Sequence, residues 1–210
     1  MYNITMANVN KIALFIDGEN LRHYVESIIQ ENGYRKEDYS MLDIDFNKMF
    51  SGPLNRLVVS KKIYYSGKIQ FVQETEKISN FLIEKQRSLK AKIEKQGFTF
   101  LIAGKVRPQI VSKNGKEKII FKEKGVDVRI AVDLIKTSVD KNFQTIILCC
   151  SDSDLQPAIK EARLRGLKII YLGYENIPNK GITYTTDKTI LIRNSEIIEA
   201  LDKTKQLKID

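Results

Sequence analysis

The chain has 210 residues, of which 42% are hydrophobic and 29% charged, and this composition excludes a disordered or fibrous protein. The two cysteines, Cys149 and Cys150, are adjacent and lack metal-ligand spacing, which excludes a disulfide scaffold and a cysteine-based zinc site. The sequence has neither a signal-peptide pattern at its start nor an apolar run near the roughly 20 residues that cross a bilayer. We therefore expect a cytoplasmic protein, with buried cysteine thiols and no membrane contact.

The positive charge is concentrated in one region. The formal net charge is +9, and residues 85–129 alone contain thirteen lysines and arginines against four acidic residues. A surface with such an excess attracts polyanions, and nucleic acid is the commonest of these. A solvated helix face next to a lysine-rich hairpin is the alternative interpretation.

Apolar and polar periodicity predicts strands alternating with helices along the chain. The pattern predicts strands at 11–16, 56–65, 98–102, 145–150, 167–172 and 189–192, and helices at 20–30, 72–96, 126–139 and 157–166, with a last helix opened by Asn194 or Ser195. Residues 109–111 and 118–121 flank Asn114-Gly115 and predict a basic β-hairpin. Residues 34–55 are expected to form a loop with a short helix, and residues 173–187 a polar loop.

This alternation predicts an α/β fold in one three-layer domain over residues 11–203. Its centre is a mainly parallel sheet of five or six strands, and the basic hairpin is an insertion. Residues 1–10 and 204–210 are expected to be loose termini.

Aspartates follow two of the predicted strands. Asp17 ends the first strand and Asp152 follows the fourth, so both are expected at the carboxyl edge of the sheet, where ligands bind in α/β folds. Asp127 falls in the first turn of a helix, on the face that packs against the sheet. Asp133 lies about 120° further around that helix and is either a supporting residue or a packing residue. Asp154 is either a further ligand or the N-cap of the next helix.

Carboxylates crowded at one edge repel each other, and a hard divalent cation relieves that repulsion. Ligation by oxygen alone favours Mg²⁺ or Mn²⁺ over zinc. Such an ion activates water and stabilises the charge that develops on a phosphodiester under attack. Together with the basic region, this chemistry favours a nuclease.

Three motifs carry a resemblance to a known family. They are Phe15-Ile16-Asp17-Gly18-Glu19-Asn20, Lys124-Gly125-Val126-Asp127-Val128 with Asp133, and Ser151-Asp152-Ser153-Asp154-Leu155-Gln156-Pro157 through Ile170. In order and spacing they resemble the NYN domain of the LabA/DUF88 family, which belongs to the PIN-like nucleases. The resemblance covers roughly residues 11–192.

The resemblance implies a PIN-like fold and an endoribonuclease that depends on Mg²⁺ or Mn²⁺. It implies that Asp17, Asp127, Asp152 and Asp154 bind the metal, that Asn20 orients a ligand or a metal-bound water, and that Lys124 lies near the phosphate. Ser151 within the third motif joins Asp133 as a candidate supporting residue.

Charge alone makes the basic hairpin a candidate RNA-binding element. Its candidate residues are Arg107, Lys113, Lys116 and Lys118. The expected partner is RNA, either single-stranded or structured. A noncatalytic RNA-binding module and a regulatory scaffold with a structural metal remain as alternatives. The sequence also leaves open the RNA target, the choice between RNA and DNA, and the oligomeric state, with a homodimer among the alternatives.

Overall fold

The computed structural model describes residues 11–113 and 116–204, and for residues 113 and 116–118 it describes the backbone only. The strands are β1 (Ile12–Asp17), β2 (Val59–Ile69), β3 (Thr99–Lys113), β4 (Lys116–Lys124), β5 (Thr145–Cys149), β6 (Lys168–Tyr174) and β7 (Lys188–Ile192). The helices are α1 (Gly18–Glu31), α2 (Phe46–Ser51), α3 (Glu76–Lys95), α4 (Val126–Asp140), α5 (Gln156–Leu164), α6 (Lys180–Thr185) and α7 (Asn194–Ala200). The predicted loose termini fall on residues 1–10 and 204–210, which lie outside the described residues except for Thr204.

All the strands named above form one sheet, in the order β4-β3-β2-β1-β5-β6-β7. Every neighbouring pair is parallel except β3 and β4, which are antiparallel. The predicted mainly parallel α/β sheet is confirmed, but the predicted count of five or six strands is wrong, because the described residues contribute seven strands to the sheet.

The core lies on both faces of the sheet. Along β1, Ile12, Leu14 and Ile16 pack on one side, whereas Ala13 and Phe15 pack on the other. A strand that is covered on both faces reads as a continuous apolar run, which is why β1 was easy to predict. Residues of α1, α2, α3 and α7 join the first cluster, and residues of α4, α5 and α6 join the second. Helices therefore cover both faces of the sheet and give three layers.

The basic segment forms an edge of the sheet, where β3 and β4 pair. The predicted strand at 98–102 and the predicted hairpin arm at 109–111 are one strand, β3. Gly104 adopts φ +70°, and a Cβ there would lie 2.3 Å from the Lys124 carbonyl oxygen. The glycine therefore allows an irregularity within the strand instead of ending it. The turn predicted at Asn114-Gly115 lies outside the described residues.

Two other predicted boundaries were wrong. Strand β2 continues past Ser66-Gly67 to Ile69, because Gly67 fits closely against the side chains of Val106 and Glu123. The predicted loop at 173–187 contains α6, whose N-cap Asn179 accepts a hydrogen bond from the backbone N–H of Ile182. Its sequence has weak intrinsic helix propensity, so this cap and the burial of Ile182 stabilise a helix that periodicity did not indicate.

Gly18 lies in the turn between β1 and α1, where the chain passes close to β2. A Cβ on Gly18 would lie 2.3 Å from the ring of Tyr64 and 2.5 Å from the carbonyl oxygen of Tyr65. Both obstacles belong to the neighbouring strand β2, and one of them is backbone, so neither can easily move. Because Gly18 has no side chain, the β1–α1 turn can pack against β2.

We expect Gly18→Ala to lower the free energy of unfolding by roughly 1–3 kcal/mol, which is the usual cost of overpacking. Denaturant unfolding measures this change. Gly52→Ala is the matched control, because its added Cβ would meet the flexible carboxylate end of Glu196 instead of a ring and backbone. Equal losses in the two variants would contradict the proposed close packing at Gly18.

Among the residues that the structure describes, no helix has both the length and the apolar character needed to cross a membrane.

Candidate active site

The strand order creates a crevice at the end of β1. Strand β1 lies between β2 and β5. The chain runs from β1 to β2 in one half of the sheet and from β5 to β6 in the other half, so the strand order reverses between β1 and β5. In open α/β sheets ligands bind at such a switch point, outside the carboxyl ends of the strands. Asp17 ends β1, and Asp152 follows β5 by three residues, so both aspartates lie at this edge.

Asp17 is only 4% exposed, although it carries a carboxylate. It is the N-cap of α1, and its Oδ1 accepts hydrogen bonds from the backbone N–H groups of Glu19 and Asn20 at 3.1 and 3.0 Å. Burial raises the pKa of Asp17, and the hydrogen bonds from Asn20, Cys150 and Glu19 oppose that rise. The fold therefore holds a carboxylate at the switch point at an electrostatic cost.

A hydrogen-bond chain fixes the orientation of Asp17. The side-chain Nδ2 of Asn20 donates to Oδ2 of Asp17 at 2.7 Å, and the Ser151 hydroxyl donates to the other end of the Asn20 amide. Asn179 in turn donates its Nδ2 to the Ser151 carbonyl at 2.8 Å. Both ends of the Asn20 amide are thus engaged, and Asn20 and Ser151, two predicted site residues, are brought together with Asp17. Asn179 is a member of this chain that sequence reasoning missed.

Asp152 lies on the other side of Cys150 from Asp17. The Cys150 Sγ is 3.5 Å from Oδ2 of Asp17 and receives the backbone N–H of Asp152 at 3.2 Å. Burial raises the pKa of Cys150, and the charges of Asp17 and Asp152 raise it further. This buried thiol stays neutral, so it contacts the Asp17 carboxylate and the Asp152 backbone without adding charge.

Asp152, not Asp154, caps the turn that follows β5. It is the N-cap of the 3-10 turn Ser153–Leu155, where its Oδ1 accepts the backbone N–H of Asp154 at 2.9 Å. The alternative interpretation of Asp154 as an N-cap is therefore wrong. Its side chain is exposed next to Asp152.

Glu123 is an acidic residue of this region that sequence reasoning did not select. Burial raises its pKa to about 7, and the charges of Asp17, Glu19 and Asp127 contribute to the rise. Its Oε1 accepts the backbone N–H of Val126 at 3.2 Å, which ties the end of β4 to the start of α4. Asp17 and Asp127, in the first turn of α4, are thus both close enough to Glu123 to raise its pKa.

Glu19 has the opposite electrostatic setting. Although burial raises its pKa, hydrogen bonds with His23 and Arg22 lower that pKa to about 2. Its carboxylate lies 2.6 Å from an Arg22 nitrogen and 3.0 Å from the His23 ring. Glu19 is therefore ionised at neutral pH and contributes a fixed negative charge next to Glu123.

Asp133 has hydrogen-bond partners in α4 and β2. It lies 3.0 Å from the Nε of Arg129, and the Tyr65 hydroxyl donates to it at 3.0 Å. Tyr65 is opposite Asp17 in the sheet, so these contacts join α4 to β2 next to the site, and both the packing and the supporting interpretation of Asp133 remain.

The paired strands β3 and β4 present a cationic face. Lys105 is opposite Lys124, and Arg107 is opposite Lys122, so four cations share one side of the strand pair and line a common cavity. All four side chains are exposed. Of the predicted RNA-binding residues, Lys124 and Arg107 are on this face. The side chains of Lys113, Lys116 and Lys118 lie outside the described residues.

Comparison with known proteins identifies the family. The NYN domain family matches residues 11–193 of this chain. The chain belongs to the NYN domain family. The resemblance predicted from the three motifs is thereby confirmed at the level of the NYN domain.

Two individual proteins are similar to this chain, one over part of its length and the other over most of it. An uncharacterised protein of Methanocaldococcus jannaschii is 33% identical over 90 residues, which cover 40% of this chain and 38% of that protein. The match thus spans about two fifths of that relative. The crystal structure of a protein of unknown function from Vibrio parahaemolyticus superposes with a TM-score of 0.54 at 18% identity, covering 89% of this chain and 96% of that one. At this identity the likeness concerns the fold alone.

The donor set of the NYN domain decides which metal the site could hold. Within residues 11–113 and 116–204, no three or more His, Cys, Asp or Glu side chains are arranged to enclose an ion by themselves. This rules out a preformed all-protein cage there. Mg²⁺ is usually bound through one or two carboxylates, with water and substrate phosphate completing its shell. Asp17 and Asp152, on either side of Cys150, fit that open mode of binding.

Proposed function

We propose that this NYN domain is a metal-dependent endoribonuclease that hydrolyses phosphodiester bonds of RNA. The observation that carries the proposal is the Asp17 carboxylate, which is buried at the switch point of the sheet and oriented by Asn20. NYN domains are generally nucleases, which supports the assignment of the reaction class.

Asp17 and Asp152 are the proposed protein ligands of Mg²⁺ or Mn²⁺, and Asp127 and Asp154 are proposed to add negative charge around the ion. The bound ion would supply an activated water and would stabilise the charge that develops on the phosphodiester. Burial of Asp17 supports this assignment, because a buried carboxylate is costly unless a cation or hydrogen bonds compensate it. The raised pKa of Glu123 is caused first by burial, and the smaller contribution from Asp17, Glu19 and Asp127 supports the assignment too, because a divalent cation would neutralise those charges.

The protein's own side chains orient the Asp17 carboxylate and attract the substrate. The hydrogen-bond chain from Asn179 through Ser151 and Asn20 holds the Asp17 carboxylate in one orientation, which removes a reorganisation cost from the reaction. The cationic face of β3 and β4 attracts the RNA backbone, and Lys124 at the end of β4 is the member nearest in sequence to Asp127.

One incubation tests the proposal directly. Purified protein is mixed with end-labelled single-stranded RNA, structured RNA and single-stranded DNA, each with Mg²⁺, Mn²⁺ or chelator. We expect internal cleavage of RNA with either metal ion and none with chelator. Metal-dependent cleavage of DNA but not of RNA would contradict the assignment of RNA as the substrate. Equal cleavage of RNA in the presence of chelator would contradict the dependence on a metal ion.

A noncatalytic RNA-binding module is the second candidate, and the cationic face favours it independently of the carboxylates. It predicts RNA binding that weakens steeply with salt, because bound lysines and arginines release condensed counterions. Such binding, without any metal-dependent product in the same incubation, would favour this candidate over the nuclease.

A further inference from the structure

A cavity of about 230 Å³ opens next to the acidic edge of the sheet. Gly18, Glu19 and Glu123 form the side that faces the candidate active site. The cavity lies between α1, α3 and the β2–β3–β4 half of the sheet. Neither the carboxylates proposed as metal ligands nor the cationic face accounts for it.

The wall contributed by α3 and β4 is largely apolar. Leu82 and Leu89 come from α3, and the Phe121 ring comes from β4, with all three only partly buried. An aromatic ring and aliphatic side chains at a solvent-accessible cavity offer a surface on which a planar ring can stack. The volume is below the roughly 300–1,000 Å³ of sites for drug-sized ligands, so one small ring system fits better than a larger molecule.

Polar groups line the opposite part of the cavity. Gln86 donates its Nε2 to the Ser66 hydroxyl at 3.0 Å and to the Gly67 carbonyl at 2.7 Å, which fixes its amide in place. Both donors of this amide are thereby used, and its Oε1 accepts the Ile69 N–H at 3.4 Å, so the remaining acceptor capacity of Oε1 and the Ser66 hydroxyl are what the wall offers to the edge of a heterocycle. The cavity therefore combines a stacking surface with oriented polar groups.

The charges at the cavity favour a neutral ring over a phosphate group inside it. Glu19, Glu26 and Glu123 all line the wall, and Arg22 is engaged by ion pairs with Glu19 and Glu26 at 2.6 and 2.7 Å. Paired in this way, Arg22 cannot balance a further anion. Lys85 also contributes to the lining, on the α3 side. A ligand with a neutral ring suits the acidic part of the wall, and an anionic backbone attached to that ring can lie near Lys85.

The alternation of side chains along β3 and β4 separates the two binding surfaces. Val106 and Phe121 face the cavity, whereas their sequence neighbours Arg107 and Lys122 belong to the cationic face. The two surfaces lie on opposite faces of the strand pair, and β4 is the edge strand of the sheet, so an RNA that follows the cationic face reaches the cavity by passing around that edge. The same stretch of chain supplies backbone attraction and a ring-sized cavity.

We propose that this cavity receives one unpaired nucleobase of the RNA substrate, stacked on Phe121 between Leu82 and Leu89. This inference rests on the proposed function, because it identifies how the substrate of that site is positioned. Insertion of a base next to Glu19 and Glu123 fixes the register of the RNA relative to the carboxylate edge. Cleavage then occurs at a constant distance from the inserted base.

The test uses a short RNA in which 2-aminopurine replaces each base in turn, and chelator prevents cleavage. We expect the fluorescence to change on binding at one position only, and we expect an abasic nucleotide at that position to weaken binding roughly 10-fold. Leu82→Trp fills the cavity and should abolish both effects. Phe81→Trp is the matched control, because Phe81 precedes Leu82 in α3, is 62% exposed and is not part of the cavity wall.

Folding of each variant is checked by its thermal midpoint. Unchanged fluorescence and affinity in a folded Leu82→Trp variant would overturn the proposal, as would equal responses at every position of the RNA. Equally tight binding of free 2-aminopurine riboside would also overturn it, because a free nucleoside would then be the ligand. A fluorescence change at a single position without metal-dependent cleavage would support base binding in the cavity and would contradict only the proposed nuclease activity.

Discussion

Asp17→Asn is expected to lower metal-dependent RNA cleavage by at least about 10²-fold, because it removes the charge at the centre of the proposed metal site. Asparagine has nearly the same shape as aspartate, and its Oδ1 can still accept the backbone N–H groups of Glu19 and Asn20. The substitution therefore separates the charge of residue 17 from its role as the N-cap of α1.

The same substitution has two opposing effects on the thermal midpoint, because it removes a buried charge but replaces the Oδ2 that accepts hydrogen bonds from Asn20 and Cys150 with an N–H donor, so we expect a small net change. Burial raises the pKa of Asp17, so the ionised carboxylate is less favourable in the folded protein than in the unfolded chain. Its contribution to the free energy of unfolding falls as pH rises through the folded pKa, and asparagine removes that loss. A large loss of cleavage with a small change in the thermal midpoint is the result expected for a carboxylate kept for its chemistry.

Asp45→Asn is the matched control for this prediction. Asp45 also caps a helix, since it is the N-cap of α2 and accepts the backbone N–H of Lys48 at 3.0 Å. It takes no part in the acidic edge, so cleavage by Asp45→Asn should match the unmodified protein. Full cleavage by Asp17→Asn, or a similar loss in both variants, would contradict the assignment of Asp17.

The part of the site built by local sequence was predictable. The apolar run before Asp17 predicted a buried strand, and the aspartates after β1 and β5 were expected at one edge because the strands are parallel. The structure adds that β1 and β5 are neighbours, with Ile16 opposite Cys149. No periodicity within either strand could have indicated that pairing.

The part of the site built by tertiary contacts was not predictable in the same way. Glu123 lies among lysines in the sequence, and the region around it was read as basic. Its proximity to Asp17 depends on β4 pairing with β3 and on the close packing of Gly67 against Glu123. The one available signal was its position two residues before Gly125, where the chain turns into α4.

Glycine caused most of the errors in strand length. Gly67 and Gly104 are stop signals when only local sequence is considered. In the structure each glycine instead allows a neighbouring chain to approach closely, so β2 and β3 continue through them. The direction from which the neighbouring chain approaches belongs to the tertiary structure, and local sequence does not indicate it.

Glu123→Gln should stabilise the protein above neutral pH, which is the second large effect that we expect. The pKa of this carboxyl group is raised from 4.5 to about 7, first by burial and then by the charges of Asp17, Glu19 and Asp127. Between these two pH values the unfolded chain releases a proton that the folded protein retains. The free energy of unfolding therefore falls as pH rises through this window, and the loss is complete above about 7.

Glutamine imitates the protonated acid and retains an Oε1 acceptor for the Val126 N–H. Because the group is partly exposed and solvent screens it, we expect a gain of only about 1 kcal/mol, or roughly 2–4 °C in the thermal midpoint, at pH ~8. At pH ~5 the folded protein already holds the proton, so the difference should be small. Thermal unfolding in chelator at the two pH values measures both differences.

Glu84→Gln serves as the control, because Glu84 lies on the exposed side of α3 and pairs only with a neighbouring arginine, Arg87. Its substitution should shift the midpoint little and equally at both pH values. If Glu123→Gln also gave equal shifts, the raised pKa of Glu123 would be refuted. A gain confined to the higher pH would instead mean that the folded protein disfavours the ionised form of Glu123, through burial first and the neighbouring carboxylates second.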